Sequence, residues 1–132
     1  MPDKTLTAPQ CLIIEDSRFD QMMMTRVMQK TEQYIDIRVV STLDAARRAL
    51  LSGRVSLILL DNNLPDGKGA NFALELAEHV TFSSIPVILV SDWPSPFMFQ
   101  KAKMAGVSNI VTKADFTPEV ILSAMPESAT MH

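Results

Sequence analysis

The sequence has one cysteine, no long apolar run and no large excess of either charge. The single Cys11 can form no internal disulfide, which is typical of a reducing compartment. Twelve basic and fifteen acidic residues leave a net charge of −3, so no nucleic-acid partner is expected. Apolar runs such as 55–60 are far too short to span a membrane, and residues 1–10 do not resemble a signal peptide. We therefore expect a cytoplasmic protein that binds no membrane.

The size and composition are those of one globular domain. A chain of 132 residues has room for one domain of ordinary size. A hydrophobic fraction of 47% and a charged fraction of 20% exclude wholesale disorder. We expect the domain to span residues 10–126, with a flexible N-terminal segment over 1–9 and a frayed C-terminal tail over 127–132.

Short β-type runs alternate with longer helical patterns through five units. The predicted strands cover residues 11–14, 34–40, 55–60, 85–90 and 110–112. The predicted helices cover about 17–30, 42–53, 70–77 and 97–105, and a fifth begins at 117. The segment 62–67 is dense in turn formers and is predicted as a loop. This alternation predicts an α/β fold, a doubly wound five-stranded parallel sheet with helices on both faces.

Polar residues follow four of the predicted strands. Glu15 and Asp16 follow the first strand, Asp61 the third, Ser91 the fourth and Lys113 the fifth. In a doubly wound sheet, ligands bind outside the carboxyl ends of the strands. If the first and third strands are neighbours, their carboxylates lie about 5 Å apart and repel each other by roughly 3 kcal/mol at an effective dielectric constant of 20. These carboxylates therefore need a compensating positive charge.

The local charge suggests a metal ion. Three carboxylates and Lys113 leave two negative charges, which one divalent cation balances. Magnesium takes oxygen ligands and is typically held by one or two carboxylates and a substrate phosphate. Carboxylates, a cation, a lysine and a hydroxyl together suit phosphoryl transfer, which depends on positioning and charge neutralisation.

Five segments, in this order, resemble the receiver domains of bacterial two-component response regulators, of the stand-alone chemotaxis-regulator type. These segments are 11–16, 57–61, 64–67, 87–91 and 105–113. The resemblance covers about residues 11–125 and implies the flavodoxin-like (βα)5 receiver fold with strand order 2-1-3-4-5. It also implies a signalling domain whose only activities are self-phosphorylation and self-dephosphorylation.

The resemblance implies a role for each site residue. Asp61 would accept a phosphoryl group from a sensor histidine kinase or a histidine phosphotransfer protein, as in a phosphorelay. Asp16 and Asp61 would bind Mg²⁺ directly, Glu15 through water, and the backbone carbonyl of Asn63 would add another oxygen. The remaining two residues, Ser91 and Lys113, would contact the phosphoryl oxygens. An output protein would bind the fourth helix, fifth strand and fifth helix.

Three positions depart from the family pattern. Ala114 follows the lysine where the family usually has proline after a cis bond, so the turn there is expected to differ or to store strain. Ile110 stands where an aromatic switch residue is common, so an aromatic ring that swings inward on phosphorylation is absent here. Trp93 lies two residues after Ser91, where family members tune phosphoryl loss, and a bulky ring there could shield the acyl phosphate from water.

Two other functions stay open at this point. The departures favour a receiver-like interaction module that is never phosphorylated, whereas the acidic set and Lys113 favour phosphorylation. A small phosphatase of related fold is the other alternative, with Asn63 at the position where a second acid is usually needed. Catalysis by Ser91 as a nucleophile is not expected, because neither His79 nor His132 is placed beside it.

Three groups of apolar residues have competing interpretations. Cys11, at the start of a central strand, is expected to be buried and unreactive. The methionines of the first helix, in 22–28, are interpreted as core filling in preference to an adaptable binding surface. Phe97, Met98 and Phe99 cannot all face the core, so either the helix begins later or it exposes a partner-binding patch.

Overall fold

The computed structural model describes residues 8–125, which form one α/β domain. The strands are Gln10–Ile14 (β1), Asp36–Val40 (β2), Val55–Asp61 (β3), Asn63–Leu64 (β4), Gly67–Lys68 (β5), Val87–Val90 (β6) and Asn109–Val111 (β7). The helices are Arg18–Gln29 (α1), Leu43–Leu50 (α2), Gly69–Ala77 (α3), Pro96–Ala105 (α4) and Pro118–Ala124 (α5). The expectations for residues 1–7 and 126–132 lie outside the described part of the chain.

The main sheet is parallel and has the order β2-β1-β3-β6-β7. This confirms the predicted order 2-1-3-4-5, since β4 and β5 pair only with each other in a separate antiparallel hairpin. Ile14 pairs with Leu60, and Asp61 pairs with Val90. The carboxyl ends of β1, β3 and β6 are therefore level with one another, and the residues that follow them meet at one edge of the sheet.

Both faces of the sheet are covered by helices. Alternate residues of β1 and β3, such as Leu12 and Ile58, pack against α2, α3 and α4. The residues between them, such as Ile13 and Leu59, pack against α1 and α5. Burial on both faces explains why these strands are continuous apolar runs without a polar alternation.

Side-chain caps fix where four of the described helices begin. Each cap hydroxyl accepts a hydrogen bond from a backbone N–H in the first helical turn, which satisfies one of the free donors there. The capping residues are Ser17, Thr42, Ser95 and Thr117. The Ser17 cap starts α1 immediately after the acidic pair, so the first turn of this helix lies beside the carboxyl end of β1.

Some predicted boundaries were wrong by one to three residues, the largest error being the end of the second helix, which is Leu50 and not 53. The second strand begins at Asp36 because Tyr34 is fully exposed and lies outside the ladder. The fourth begins at Val87, since Pro86 before it has no N–H to donate to a neighbouring strand. The predicted loop 62–67 contains part of the β4–β5 hairpin, in which Asn63 pairs with Lys68.

The competing interpretations of the apolar groups are resolved by burial. In α1, Met24 and Met28 are buried, which confirms core filling for these two, while Met22 is half exposed. In α4, the helix begins at Pro96 and buries Met98, but Phe97 remains 74% exposed and Phe99 is also exposed. The later helix start is therefore wrong, and α4 does present an exposed apolar patch.

None of the helices in residues 8–125 has the length and apolarity needed to cross a bilayer.

Cys11 is fully buried in β1, and burial raises the pKa of its thiol to about 12. Because the thiolate is the reactive form, we expect the folded protein to be inert to a disulfide reagent such as dithionitrobenzoate at neutral pH. The thiol should react fully after unfolding in guanidinium chloride, measured as released chromophore. Rapid labelling of the folded protein would contradict this placement of Cys11.

Candidate functional site

Three carboxylates meet at the carboxyl ends of β1 and β3. Glu15 and Asp16 directly follow β1, and Asp61 is the last residue of β3, the neighbouring strand. One carboxylate oxygen from each of the three lies within 4.8 Å of the other two. The structure thus brings together the acidic residues that the strand ends single out.

Burial sets the electrostatics of this acidic cluster. Glu15 is 1% and Asp61 4% exposed, whereas Asp16 is exposed. Burial raises the pKa of Glu15 to about 7, although the Ser17 N–H that donates to its Oε1 at 2.9 Å opposes this effect. Burial also raises the pKa of Asp61 to about 6, against the opposing attraction of Lys113. The acidic cluster therefore favours the binding of a positively charged group.

The acidic cluster fits a hard divalent cation. Glu15 Oε2 is buried and accepts no hydrogen bond among the described residues, and its one cationic neighbour there is Lys113 Nζ at 3.5 Å, so this oxygen can still accept an ion-bound water. Carboxylate oxygens are the ligands that Mg²⁺ prefers, and one or two carboxylates typically hold it beside a phosphate. The chemistry of these oxygen donors therefore suits magnesium.

Lys113 follows β7 and reaches the acidic cluster from the other side. Its Nζ lies 2.5 Å from Asp20 Oδ2, 3.5 Å from Glu15 Oε2 and 3.9 Å from Asp92 Oδ2. Burial acts to lower the pKa of Lys113, but the hydrogen bond to Asp20 and the surrounding carboxylates outweigh burial and raise it. The lysine therefore stays charged at neutral pH.

Ser91 brings a hydroxyl to the same edge of the sheet. It follows β6, and its N–H donates to the carbonyl of Val111 at 2.9 Å, which continues the β6–β7 pairing. Since Val90 pairs with Asp61, Ser91 lies one residue beyond Asp61 on the neighbouring strand. Its Oγ is buried and has no hydrogen-bond partner in residues 8–125. A buried hydroxyl without a partner is uncommon and indicates a donor available to a ligand.

The segment after Asp61 folds back onto the start of α3. Gly69 N–H donates to the carbonyl of Asn62 at 2.8 Å, and Ala70 N–H donates to Asn62 Oδ1 at 2.9 Å. A Cβ built on Gly69 would lie 2.3 Å from the carbonyl oxygen of Asp61, so only glycine allows this approach. Asn63, the other predicted ligand, lies in β4. Its Oδ1 accepts a hydrogen bond from Lys68 Nζ at 2.6 Å.

Asp66 ties the same segment to α2. Its two carboxylate oxygens accept from Leu43 N at 2.8 Å and from Asp44 N at 3.0 Å. These backbone hydrogen bonds lower the pKa of Asp66. The carboxylate thus satisfies free donors at the start of α2 and fixes the position of the hairpin.

Two acidic residues beside Lys113 were missed by the sequence analysis. Asp20 lies in the first turn of α1, directly after the Ser17 cap and so close to the carboxyl end of β1. The available signal was an acidic residue in the first turn of a helix that begins at this edge of the sheet. Asp92 follows Ser91 directly, and its Oδ2 lies 3.9 Å from Lys113 Nζ.

The three departures from the family pattern have distinct structural outcomes. No peptide bond in residues 8–125 is cis, so the turn at Ala114 forms with trans bonds. Asp115 N–H donates to Thr112 Oγ1 at 3.2 Å within that turn. Ile110 is half buried and packs against the core beneath α2 to α4. Trp93 is 85% exposed and borders a groove of about 360 Å³ beside the hairpin.

A five-stranded parallel sheet that carries carboxylates, a hydroxyl and a lysine at one edge defines an α/β fold of the flavodoxin-like receiver type. The family model of the response regulator receiver domain matches residues 11–125, and the chain belongs to this family. Domains of this family are signalling modules and bind Mg²⁺ at an acidic pocket. They interact with histidine kinases, phosphotransfer proteins and output partners.

Solved structures share the fold. A two-component response regulator from Legionella pneumophila is 24% identical with a TM-score of 0.73, covering 87% of this chain and 94% of that one. The Vibrio cholerae chemotaxis protein CheY4 is 21% identical with a TM-score of 0.72, covering 87% and 93%. The phosphorylated cyanobacterial phytochrome response regulator RcpA is 21% identical with a TM-score of 0.72, covering 89% and 90%. Among curated proteins, no relative matches the chain.

Proposed function

We propose that residues 10–126 form a receiver domain that accepts one phosphoryl group on Asp61 from a histidine kinase or a histidine phosphotransfer protein. The observation that carries this proposal is the cluster of Glu15, Asp16 and Asp61 oxygens within 4.8 Å at the carboxyl ends of two central strands. The relative RcpA is described as phosphorylated, which supports the same chemistry in this fold. We place the protein in the cytoplasm, where such donors act.

The transfer needs an ionised Asp61. With a pKa of about 6, its carboxylate is the main form at neutral pH. One oxygen of Asp61 forms a bond to phosphorus while the bond from phosphorus to the donor imidazole nitrogen breaks. The electron pair of that bond stays with the imidazole, so the donor is regenerated. The product is an acyl phosphate with about two negative charges in place of one.

The residues around Asp61 stabilise this added charge. Asp16 and Asp61 would hold Mg²⁺ directly, Glu15 through a water, and the backbone carbonyl of Asn63 would supply a further oxygen. The bound ion supplies charge neutralisation for the phosphoryl oxygens. Lys113 adds a second positive charge.

The partnerless Oγ of Ser91 would donate a hydrogen bond to a phosphoryl oxygen. In this scheme the chain has no enzymatic activity beyond self-phosphorylation and self-dephosphorylation.

The output surface proposed is the face of α4, β7 and α5. Ser91 and Lys113 adjoin this face through the ends of β6 and β7. On α4, the side chains of Phe97, Phe99 and Met104 are exposed. An exposed apolar surface of this kind is suited to a protein partner.

The decisive test is an intact mass after incubation with acetyl phosphate, with Mg²⁺ in one sample and excess EDTA in the other. We expect one added phosphoryl group with magnesium and none with EDTA. No gain in either sample, with no change in Trp93 fluorescence on adding Mg²⁺, would contradict the proposal. That outcome would favour a receiver-like interaction module that is never phosphorylated, as the departures at Ile110 and Ala114 suggest.

Trp93 is expected to protect the acyl phosphate from water. The exposed ring borders the groove that Asn62 and Asn63, the two residues after Asp61, also line. We expect Trp93→Ala to shorten the lifetime of the phosphorylated protein, because attacking water would be excluded less well. The lifetime is measured by mass spectrometry after donor removal, with Phe97→Ala as a control in the same groove. An unchanged lifetime in Trp93→Ala would rule out shielding.

A further inference from the structure

The ammonium group of Lys113 points towards α1 in this structure. Its nearest partner is Asp20 at 2.5 Å, and Glu15 and Asp92 are more distant at 3.5 and 3.9 Å. Asp61 is not among the carboxylates within 4.0 Å of this nitrogen in the described chain. The closest partner of the lysine that would contact the phosphoryl group is therefore Asp20, outside the acidic cluster, and its longer contact is with Glu15 of that cluster.

Asp20 is well placed to hold this lysine. The Asp20 and Lys113 side chains are 19% and 18% exposed, so water screens their pair little. Asp92 is 49% exposed, and its longer contact is screened much more. The backbone of Asp20 is fixed independently of the lysine, because its N–H donates to the Ser17 cap. The position of this carboxylate is thus set by α1.

Formation of the acyl phosphate gives Lys113 a new negatively charged group to contact. The Asp61 oxygen bonds to phosphorus as the donor's own bond to phosphorus breaks, and the site gains negative charge. For Lys113 to contact the phosphoryl oxygens, its nitrogen must leave Asp20. Asp20 then loses its cationic partner, close to a site that has become more negative.

We propose that Asp20 is a positioning residue that withdraws Lys113 from Asp61 and competes with the phosphoryl group for it. This inference rests on the proposed function of Asp61. Asp20 therefore destabilises the phosphorylated state and lowers the fraction of the protein that a given donor phosphorylates. A weak phosphoryl donor would then phosphorylate the wild type less completely than a variant with a neutral residue at position 20.

The test measures binding of beryllofluoride, which mimics a phosphoryl group on a carboxylate without any transfer of phosphorus. Calorimetric titrations at saturating Mg²⁺ compare the wild type with Asp20→Asn, with Asp92→Asn as the matched control. We expect Asp20→Asn to bind beryllofluoride about fivefold more tightly, the size expected for releasing a partly buried ion pair. Asp92→Asn should change the affinity by less than about twofold because its pair is exposed.

Two further variants separate positioning from other effects. Asp20→Glu keeps the charge and should bind beryllofluoride like the wild type. In a Lys113→Ala background, Asp20→Asn should lose most of its effect, because the coupling between the two residues is removed. Circular dichroism on each variant confirms folding.

Equal or weaker binding by Asp20→Asn in a folded protein would overturn the role of Asp20. The same holds if its effect persists in full without Lys113. If the wild type binds no beryllofluoride and takes no phosphoryl group from acetyl phosphate, the proposed function itself is wrong, and this inference fails with it. The wild-type titration therefore distinguishes the two failures.

Discussion

Asp61→Asn should abolish phosphorylation of the protein by acetyl phosphate. The asparagine has nearly the same shape, so the end of β3 keeps its packing and its 4% exposure. An amide oxygen, however, carries no negative charge to attack phosphorus. The variant also removes one of the three carboxylates that would bind Mg²⁺. We expect no added phosphoryl group in the intact mass under conditions that fully phosphorylate the wild type.

Asp115→Asn provides the matched control for this experiment. Asp115 is exposed in the turn after Lys113, and its carboxylate makes no hydrogen bond in the described part of the chain. It changes the net charge equally without touching the acidic cluster, so its phosphorylation should equal that of the wild type. A phosphoryl gain that persists in Asp61→Asn would place the acceptor on another residue.

Gly69→Ala should destabilise the protein severely. The added Cβ would lie 2.3 Å from the carbonyl oxygen of Asp61 and 3.0 Å from the Cα of Asn62. Both contacts are with backbone, which cannot rotate away as a side chain can. Inserting a methyl group into such packing costs about 3 kcal/mol, or about 10 °C in the midpoint of thermal unfolding for a domain of this size. Urea and thermal denaturation followed by circular dichroism measure the loss.

Gly53→Ala is the comparison for this change. Gly53 has a φ of 74°, so alanine is strained there, but a Cβ would have nothing within 4 Å. The expected cost is only about 1 kcal/mol, that of a left-handed conformation. Similar losses in the two variants would show that the close approach of Gly69 to Asp61 does not limit stability.

The acidic cluster could be predicted from sequence because it depends on local features. Glu15, Asp16 and Asp61 each end an apolar run, and the carboxyl ends of neighbouring parallel strands meet at one edge. The adjacency of the first and third strands came from the family resemblance, since alternation of strands and helices indicates a parallel sheet but not its order.

The pairing of Lys113 with Asp20 could not be predicted in this way. The two residues are 93 positions apart, and their contact depends on how α1 packs against the end of β7. A sequence pattern places Asp20 on one side of its helix but does not say which distant side chain that side meets. The missing information is therefore tertiary.

The exposed face of α4 could not be predicted from the sequence either. Met98 and Ala102 are buried, four residues apart, which leaves Phe97 and Phe99 on either side of a narrow buried stripe. The sequence shows three adjacent apolar residues and cannot say which one faces the core. The short β4–β5 hairpin escaped prediction because two-residue strands carry no periodic pattern.

The anchoring of the segment after Asp61 makes the two sides of the site mechanically unequal. On one side, Asn62 and Asp66 hold the backbone to α3 and α2 through hydrogen bonds of 3.0 Å or less. On the other side, the described residues 92–94 make a single long hydrogen bond, 3.4 Å from Lys113 N–H to Asp92 Oδ1. Local opening therefore costs less on that side. We therefore expect a charge added at Asp61 to displace residues 92–94 and α4 more than α2.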